Sequence, residues 1–315
     1  MHNVLYLVVP CYNEEEVLPE ASSRLEVKIC SLIDNGRISD ESRIVFVDDG
    51  SKDNTWDIIR SLHERNCVFS GLKLSRNRGH QNALLAGLMT VKDLCDYTIS
   101  MDADLQDDVD VIDSFLDKAE QGNDIVYGVR GNRKSDTTVK RGTAELFYRI
   151  MTKMGVETIF NHADCRLMSR RALNALSEFK EVNLFLRGLV PLLGFRSDAI
   201  KYARSPRYAG DSKYPFGKML QLALNGITSF SAMPLRMVTV SGCVVTVLSI
   251  ASILVLLLLT VIKNLSFSIG WVISSVWTAC GLVMTSIGIV GEYVGKVFEE
   301  SKARPRYIVE EFLNR

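Results

Sequence analysis

Short apolar runs alternate with amphipathic segments over the first 130 residues, and this alternation limits the fold more than any other feature. Five strands are predicted at VLYLVV (4–9), RIVFVD (43–48), GLKLS (71–75), YTISMD (97–102) and DIVYGV (124–129). Helix-period stretches such as TWDIIRSLHER separate most of them. Strands that are nearly continuously apolar are typical of a parallel sheet covered on both faces. The sequence therefore predicts an α/β fold, with ligands beyond the carboxyl ends of the strands.

The composition excludes several classes of partner. Lys plus Arg equals Asp plus Glu at 37 each, so no overall charge points to nucleic acid. The seven cysteines form no CxxC pair and no Cys/His spacing suited to zinc, which favours free thiols in a reducing compartment. After Arg130 the pattern is helical and mixed, through VKRGTAELFYRIMTKM and RRALNALSEF, with one further strand predicted at DAIKYA.

Two uncharged stretches, 237–262 and 265–291, are each longer than the roughly 20 residues that cross a bilayer core. The connection around Lys263 is short, so they are predicted to form a transmembrane hairpin with both flanks on one side. Basic residues on these flanks assign that side to the cytoplasm by the positive-inside rule: Arg236, Lys296, Lys302, Arg304 and Arg306. The preceding segment, 216–235, is predicted to lie in the membrane interface.

Polar signatures follow four of the predicted strands: PCYNEEE, DDGSKDNT, SRNRGHQN and DADLQDD. In the last of these, Asp102, Asp104 and Gln106 stand two residues apart. In an extended chain their oxygens would point the same way and converge on a hard cation. A calcium EF-hand is excluded, because Asp107 stands where its glycine is needed and Asp113 where its glutamate is needed. Magnesium or manganese completed by substrate phosphates remains, although GxxxxGK[ST] and GxGxxG are missing.

The ordered motifs PCYNEE, VDDGS, RNRG, DADLQD, DCRLMSRR and RYAGDSKY resemble those of inverting family 2 glycosyltransferases of the GT-A fold. The branch is the polyprenyl-phosphate sugar transferases, which include bacterial bactoprenol glucosyltransferases. The tail, with ITSFSAMPLRM and GEYVGKVFEESKARPRYIV, is similar too, so the resemblance covers nearly the whole chain. It implies a cytoplasmic GT-A catalytic domain (1–214), a juxtamembrane region (215–236), two spans within 237–294 (about 237–262 and 268–291) and a cytoplasmic tail (295–315).

On the donor side, the resemblance implies a nucleotide pocket and a site for Mg²⁺ or Mn²⁺. The nucleotide-binding residues would be Pro10, Tyr12, Glu14, Asp48, Asp49, Arg76, Arg78 and Ala103, and the metal ligands Asp102, Asp104 and Gln106. Asp48 would accept a hydrogen bond from the imide N–H of the base. A turn or cap role for Asp49 and a solvated role for both arginines stay open. His80 is interpreted as a polar loop residue, and Asp107, Asp108 and Asp110 as the acidic start of a helix.

On the acceptor side, Asp164 occupies the position of the family's candidate catalytic carboxylate, as a base or as an orienter of arginines. Arg166 is implied as the main ligand of the acceptor phosphate, supported by Arg141, Arg207 and Lys213. A polyprenyl phosphate has a second pKa of about 6, so a strong general base is less necessary. Cys165 departs from the Asp-Phe-Arg of many relatives, and Arg170 and Arg171 are interpreted as solvated.

The implied activity is transfer of one sugar from a nucleotide donor, UDP-glucose or UDP-N-acetylglucosamine by analogy, to undecaprenyl phosphate at the cytoplasmic face of a bacterial membrane. A flippase could then take the product, and Gly281, Gly288, Gly291 and Gly295 permit close helix packing in a homo-oligomer. Two alternatives stay open. One is a processive polysaccharide synthase, although a QxxRW motif is missing; the other is a non-catalytic, membrane-tethered protein that binds nucleotide or metal.

Overall fold

The computed structural model describes residues 2–130, 162–181, 186–202 and 269–314. The strands are β1 (Leu5–Cys11), β2 (Arg43–Asp48), β3 (Phe69–Leu74), β4 (Tyr97–Ser100), β5 (Ile125–Arg130), β6 (His162–Ser169), β7 (Ser197–Tyr202) and β8 (Val309–Leu313). The helices are α1 (Leu18–Asp34), α2 (Thr55–Arg65), α3 (His80–Val91), α4 (Val111–Glu120), α5 (Arg170–Ser177), α6 (Leu186–Leu192) and α7 (Ile269–Ser301). All six strands predicted from apolar runs are confirmed, with shifts of a few residues at their ends.

The strands form one mainly parallel sheet in the order β7-β5-β6-β4-β1-β2-β3-β8. β1 pairs in parallel with β2 and β4, β2 with β3, and β5 with β7. Among the described strands, β6 and β8 run against the others. The predicted α/β fold is therefore confirmed, and the carboxyl ends of β1, β2, β3 and β4 lie along one edge.

Both faces of the sheet are buried, which explains why its strands are continuously apolar. Alternate residues of β1 enter two different cores. Leu5 and Leu7 pack in a cluster with residues of α1, α2 and α4, whereas Tyr6 and Val8 pack in a second cluster with α3, α5 and α6. Each strand therefore needs apolar side chains at successive positions, and the period-2 pattern of a half-exposed strand does not appear.

Two strands were not predicted. β6 contains Asp164 and Arg166, whose charges break the apolar run, although Arg166 is only 2% exposed. β8 lies in the segment predicted as a tail, and it adds an antiparallel edge strand to β3. Two ion pairs support that edge, one between Lys73 and Glu310 at 3.0 Å and one between Arg60 and Glu311 at 3.6 Å. The end of the chain thus returns to the sheet.

Several predictions fall on residues outside those that the structure describes. They concern the acceptor-side residues Arg141, Arg207 and Lys213, the segment 216–235 and the first apolar stretch, 237–262. Most of the second stretch, 269–291, lies in α7. Within the described part of the chain, no helix has both the length and the apolarity that a membrane span requires. The transmembrane hairpin stays a prediction.

The contact of α3 with the sheet yields a test of the fold. A Cβ at Gly87 would lie 2.4 Å from Cγ1 of Val8 and 2.7 Å from Cγ2 of Val47. Gly87→Ala should therefore lower the free energy of unfolding by roughly 1 to 3 kcal/mol, because the extra methyl group overpacks the core. Urea denaturation of the purified protein measures this loss. Unchanged stability would show that α3 does not pack this closely.

Candidate active site

The reversed direction of β6 brings its start to the edge where the parallel strands end. Ser100, the last residue of β4, stands opposite Arg166, and each step along β4 moves one step back along β6. Beyond the paired residues, Nε2 of His80 lies 3.5 Å from a carboxylate oxygen of Asp102 and 3.7 Å from one of Asp164. The hydroxyl of Ser100 donates a hydrogen bond to the carbonyl oxygen of Asp164 at 2.6 Å and ties the two segments together. The predicted donor-side and acceptor-side carboxylates therefore meet.

Two arginines hold the carboxylate of Asp164. Arg187 binds it in a bidentate manner, with Nε 3.0 Å from Oδ1 and Nη2 2.9 Å from Oδ2. Arg166 adds Nη2 at 3.2 Å from Oδ1. Burial alone would raise the pKa of Asp164, but the charge and the hydrogen bonds of Arg187, together with the nearby charge of Arg166, outweigh burial and hold this pKa far below its usual range. The carboxylate is ionised and engaged, which makes it a poor proton acceptor.

Arg166 lies deeper than the sequence interpretation requires. Its guanidinium is buried, and its Nη1 points to the carbonyl oxygen of Leu186 at 3.4 Å. It thus connects β6 to α6, beneath Asp164. The role of Arg166 as a ligand of the acceptor phosphate stays a prediction.

Arg187 is the functional candidate that sequence reasoning missed. Its side chain is 28% exposed, so it lies nearer the surface than Arg166. Its signal in the sequence was a single charge inside the apolar run LFLRGLVPLL. Leu186, Leu189 and Val190 around it are buried, and a charged residue in such a helix requires a partner. The partner is Asp164, 23 residues away in the chain.

The interpretation of His80 as a loop residue is wrong. His80 is the first residue of α3, and its Nε2 lies 3.5 Å from Oδ1 of Asp102 and 3.7 Å from Oδ2 of Asp164. No residue near His80 in the sequence indicates this position. The two carboxylates that its ring faces belong to residues that are distant in the chain.

The segment DADLQ is a turn and not an extended chain. β4 ends at Ser100, and Leu105 has a φ of 54°, in the left-handed region. The backbone N–H of Gln106 donates to Oδ1 of Asp104 at 3.2 Å. The geometric reason given for convergence, alternation along a strand, is therefore wrong, because the chain turns before the three side chains can alternate.

The donor set of this turn still suits a hard cation. It offers two carboxylates and one amide oxygen, which are the ligand types that Mg²⁺ and Mn²⁺ prefer. No group of three or more His, Cys, Asp or Glu side chains in the described residues could hold a metal ion on its own. Mg²⁺ sites in phosphate chemistry commonly complete their shell with substrate oxygens, so Asp102, Asp104 and Gln106 would supply only part of the ligands.

The last residue of β2, Asp48, and the residue that directly follows the strand, Asp49, differ in role. Both oxygens of Asp49 accept backbone N–H groups, from Arg78 at 2.7 Å and from Gly79 at 2.8 Å. Asp49 therefore holds the loop after β3. Asp48 is fully buried, and its Oδ2 has no hydrogen-bond partner among the described residues. Burial raises the pKa of both carboxyl groups. The Oδ2 atom of Asp48 therefore has the capacity to accept the predicted hydrogen bond from the imide N–H of a nucleotide base.

The remaining predicted donor residues lie along the same edge. Pro10 is buried within β1, and Ala103 is buried in the acidic turn. Glu14 lines a cleft of about 370 Å³ together with Asn13, Lys52 and Asp53. Tyr12 is half-buried. Residues of the loops after β1 and β2 thus enclose this cleft.

The two arginines predicted for the diphosphate differ in exposure. Arg76 is exposed, whereas Arg78 is half-buried, and its Nε has no hydrogen-bond partner among the described residues. A buried cationic group of this kind gains from an anionic ligand. Arg78 is thus the better placed of the two.

Several charged residues have structural contacts instead of the predicted ones. Asp107 is buried and accepts a hydrogen bond from the hydroxyl of Tyr202 at 2.8 Å, so it does not act as the acidic start of α4. Arg170 pairs with Asp96 at 3.2 Å, and Arg171 pairs with Asp124. These two arginines are partly exposed, as predicted, but they also fix the end of β6.

Comparison with known proteins identifies the family of the chain. The family model described as Glycosyl transferase family 2 matches residues 6–177, more than half of the chain. The chain belongs to glycosyltransferase family 2. An uncharacterized glycosyltransferase of Bacillus subtilis, YkoT, is 48% identical over 98% of this chain and 91% of its own length. This family 2 member is therefore an enzyme, and the non-catalytic alternative is wrong.

Two further relatives carry a more specific name. The prophage bactoprenol glucosyl transferase homolog of Escherichia coli is 38% identical over 96% of this chain and 97% of its own length. The bactoprenol glucosyl transferase of Shigella phage SfV is 37% identical over 96% and 97%. This family 2 glycosyltransferase thus resembles the bactoprenol glucosyltransferases, as the motifs predicted.

The bidentate pair leads to a prediction about stability. Arg187→Met should lower the free energy of unfolding at pH 7 by roughly 3 kcal/mol, because it removes one partner of a largely buried ion pair. Arg187 depresses the pKa of Asp164 in the folded state. Its contribution is therefore fully present above the unfolded pKa of about 3.9 and is lost as the pH falls below it.

Urea denaturation of both proteins between pH 3 and about pH 8 measures this difference. The gap between wild type and Arg187→Met should be constant at neutral pH and shrink below about pH 4. A gap that does not change on acidification would mean that Arg187 acts through packing and not through the charge of Asp164.

Proposed function

We propose that this enzyme transfers one sugar, with inversion, from a nucleotide donor to a polyprenyl phosphate, and that undecaprenyl phosphate is the acceptor. The observation that carries the proposal is the junction of β4 and β6. There, a turn rich in hard oxygen ligands adjoins a carboxylate held by arginines. Relatives named bactoprenol glucosyl transferases, aligned over nearly their whole length, support the same acceptor class.

The donor side has the groups that a nucleoside diphosphate requires. Asp102, Asp104 and Gln106 would hold Mg²⁺ or Mn²⁺, which neutralises charge on a departing diphosphate. Asp48 offers a buried oxygen to the base, and Arg78 offers a cationic nitrogen to the phosphates. UDP-glucose and UDP-N-acetylglucosamine are the donors that we propose to test first.

The acceptor side binds an anion and does not need to remove a proton. An oxygen of the acceptor phosphate attacks the anomeric carbon, the bond from that carbon to the diphosphate oxygen breaks, and the nucleoside diphosphate leaves with the electron pair. The phosphate is mostly dianionic above a pH of about 6. Asp164, ionised and engaged by Arg187, therefore serves to orient cationic groups and not as the base.

Membrane attachment is a further part of the proposal and is supported by the sequence. The uncharged stretches 237–262 and 268–291 would anchor the enzyme, with the catalytic domain (1–214) and the tail (295–315) in the bacterial cytoplasm and 215–236 in the interface. The return of β8 to the sheet agrees with a tail on the same side as the catalytic domain. The glycines of the second stretch would permit close packing of helices from two copies of the chain, and thus a homo-oligomer. A flippase could take the lipid-linked product.

The assay that tests this function uses purified protein, undecaprenyl phosphate in detergent, Mn²⁺ or Mg²⁺ and a panel of labelled nucleotide sugars. We expect a lipid-linked sugar from at least one UDP-sugar, and little product without a divalent metal. Asp104→Ala should lower the rate by roughly 100-fold or more, because charge on the leaving group is then poorly neutralised.

Asp108→Asn is the matched control, since Asp108 is an exposed carboxylate of the same segment and contacts the backbone N–H of Asp110. It should keep nearly full activity. Absence of lipid-linked product with every donor would refute the proposed function, and a similar loss in both variants would refute the metal assignment.

A further inference from the structure

The first residue of α3 lies between the two halves of the site. Nε2 of His80 is buried and has no hydrogen-bond partner among the described residues. It faces Asp102 at 3.5 Å and Asp164 at 3.7 Å, and both distances are longer than the usual hydrogen bond of about 2.7 to 3.2 Å. A small approach of either carboxylate would complete the contact. This ring therefore links the metal turn to the arginine-bound carboxylate.

The loop that leads to His80 is firmly placed. Asp49 holds the backbone N–H groups of Arg78 and Gly79, and Gly79 has a φ of 86°, which only glycine adopts readily. A Cβ at Gly50 would lie 2.6 Å from the backbone of Arg76 and Asn77, so the two loops are in close contact. The loop after β2 thus holds the residues that directly precede α3, and this contact fixes the position of His80.

The second residue of α3 contacts the acceptor side through a different element. Oε1 of Gln81 accepts a hydrogen bond from the backbone N–H of Leu186 at 3.1 Å, across 105 residues of sequence. Leu186 is the first residue of α6 and directly precedes Arg187. Gln81 thus fixes the helix end that presents Arg187 to Asp164.

We propose that His80 and Gln81 are positioning residues that set the separation between the donor's metal and the acceptor phosphate. His80 acts through Asp102, as a residue that orients a metal ligand, and Gln81 acts through Arg187. Residues that orient metal ligands commonly contribute 10- to 100-fold, as an order of magnitude, to metal affinity. The inference rests on the proposed function, because it takes Asp102 as a metal ligand and Arg187 as an acceptor-side group.

Mn²⁺ binding tests the role of His80 without turnover. Electron paramagnetic resonance of Mn²⁺ titrated into protein with saturating UDP gives the affinity. His80→Ala should weaken Mn²⁺ binding by about tenfold. His80→Gln, which retains an N–H donor at similar reach, should restore most of that affinity. Lys92→Ala, directly after the last turn of α3 and with its side chain directed to Asn174, is the control and should bind Mn²⁺ like the wild type.

Gln81 should give the complementary pattern. Gln81→Ala should weaken the binding of undecaprenyl phosphate in detergent, measured by calorimetry, by several-fold while its Mn²⁺ affinity stays unchanged. Gln81→Glu retains an oxygen that accepts the N–H of Leu186, and it should therefore bind the lipid nearly as the wild type does.

The inference is wrong if His80→Ala binds Mn²⁺ as tightly as the wild type, or if His80→Gln is as weak as His80→Ala. It is also wrong if Gln81→Ala leaves lipid affinity unchanged. Failure of the proposed function has a different signature: the wild type would bind Mn²⁺ and UDP but would make no lipid-linked sugar.

Discussion

The active site of this enzyme depends on the ion pair between Arg187 and Asp164. Asp164 lies on a largely buried strand, where an ionised carboxylate is costly unless a cation accompanies it. Arg187 from α6 and Arg166 from β6 itself provide that charge. Because the pair joins α6 to β6, it also determines how the acceptor side is assembled. In the proposed function the same pair makes Asp164 an orienting group and not the general base, since both of its oxygens are engaged by arginines.

The antiparallel direction of β6 determines at which end of the sheet this ion pair lies. A parallel strand at the same place would carry Asp164 to the opposite end of the sheet. The antiparallel pairing of Ser100 with Arg166 instead places the acceptor-side carboxylate beside the acidic turn. Donor and acceptor can then approach each other at one edge, and a reaction between a nucleotide sugar and a lipid phosphate requires only that their reactive atoms be aligned and their charges matched.

The sequence predicted those parts of the fold that follow from local pattern. Apolar runs gave six strands, because both faces of the sheet are buried and the runs are therefore uninterrupted. β6 was missed because Asp164 and Arg166 interrupt its apolar run, and the ion pairs that allow their burial form only in the folded chain. β8 was missed since an edge strand with Glu310 and Glu311 resembles a charged tail. The motifs at strand ends predicted a site at the edge where the parallel strands end, and the roles of its residues stay predictions. Arg187 and the position of His80 were not predicted, because they depend on contacts between distant segments.

The central claim is that Asp164 acts through Arg187, and a double-mutant cycle on sugar transfer tests it most directly. Initial rates would be compared for the wild type, Asp164→Asn, Arg187→Met and the double variant. If the two residues act as one unit, the double variant should be as slow as the slower single variant, within about threefold. If the two losses multiply, Asp164 has an independent role, such as that of a base, and the account is contradicted.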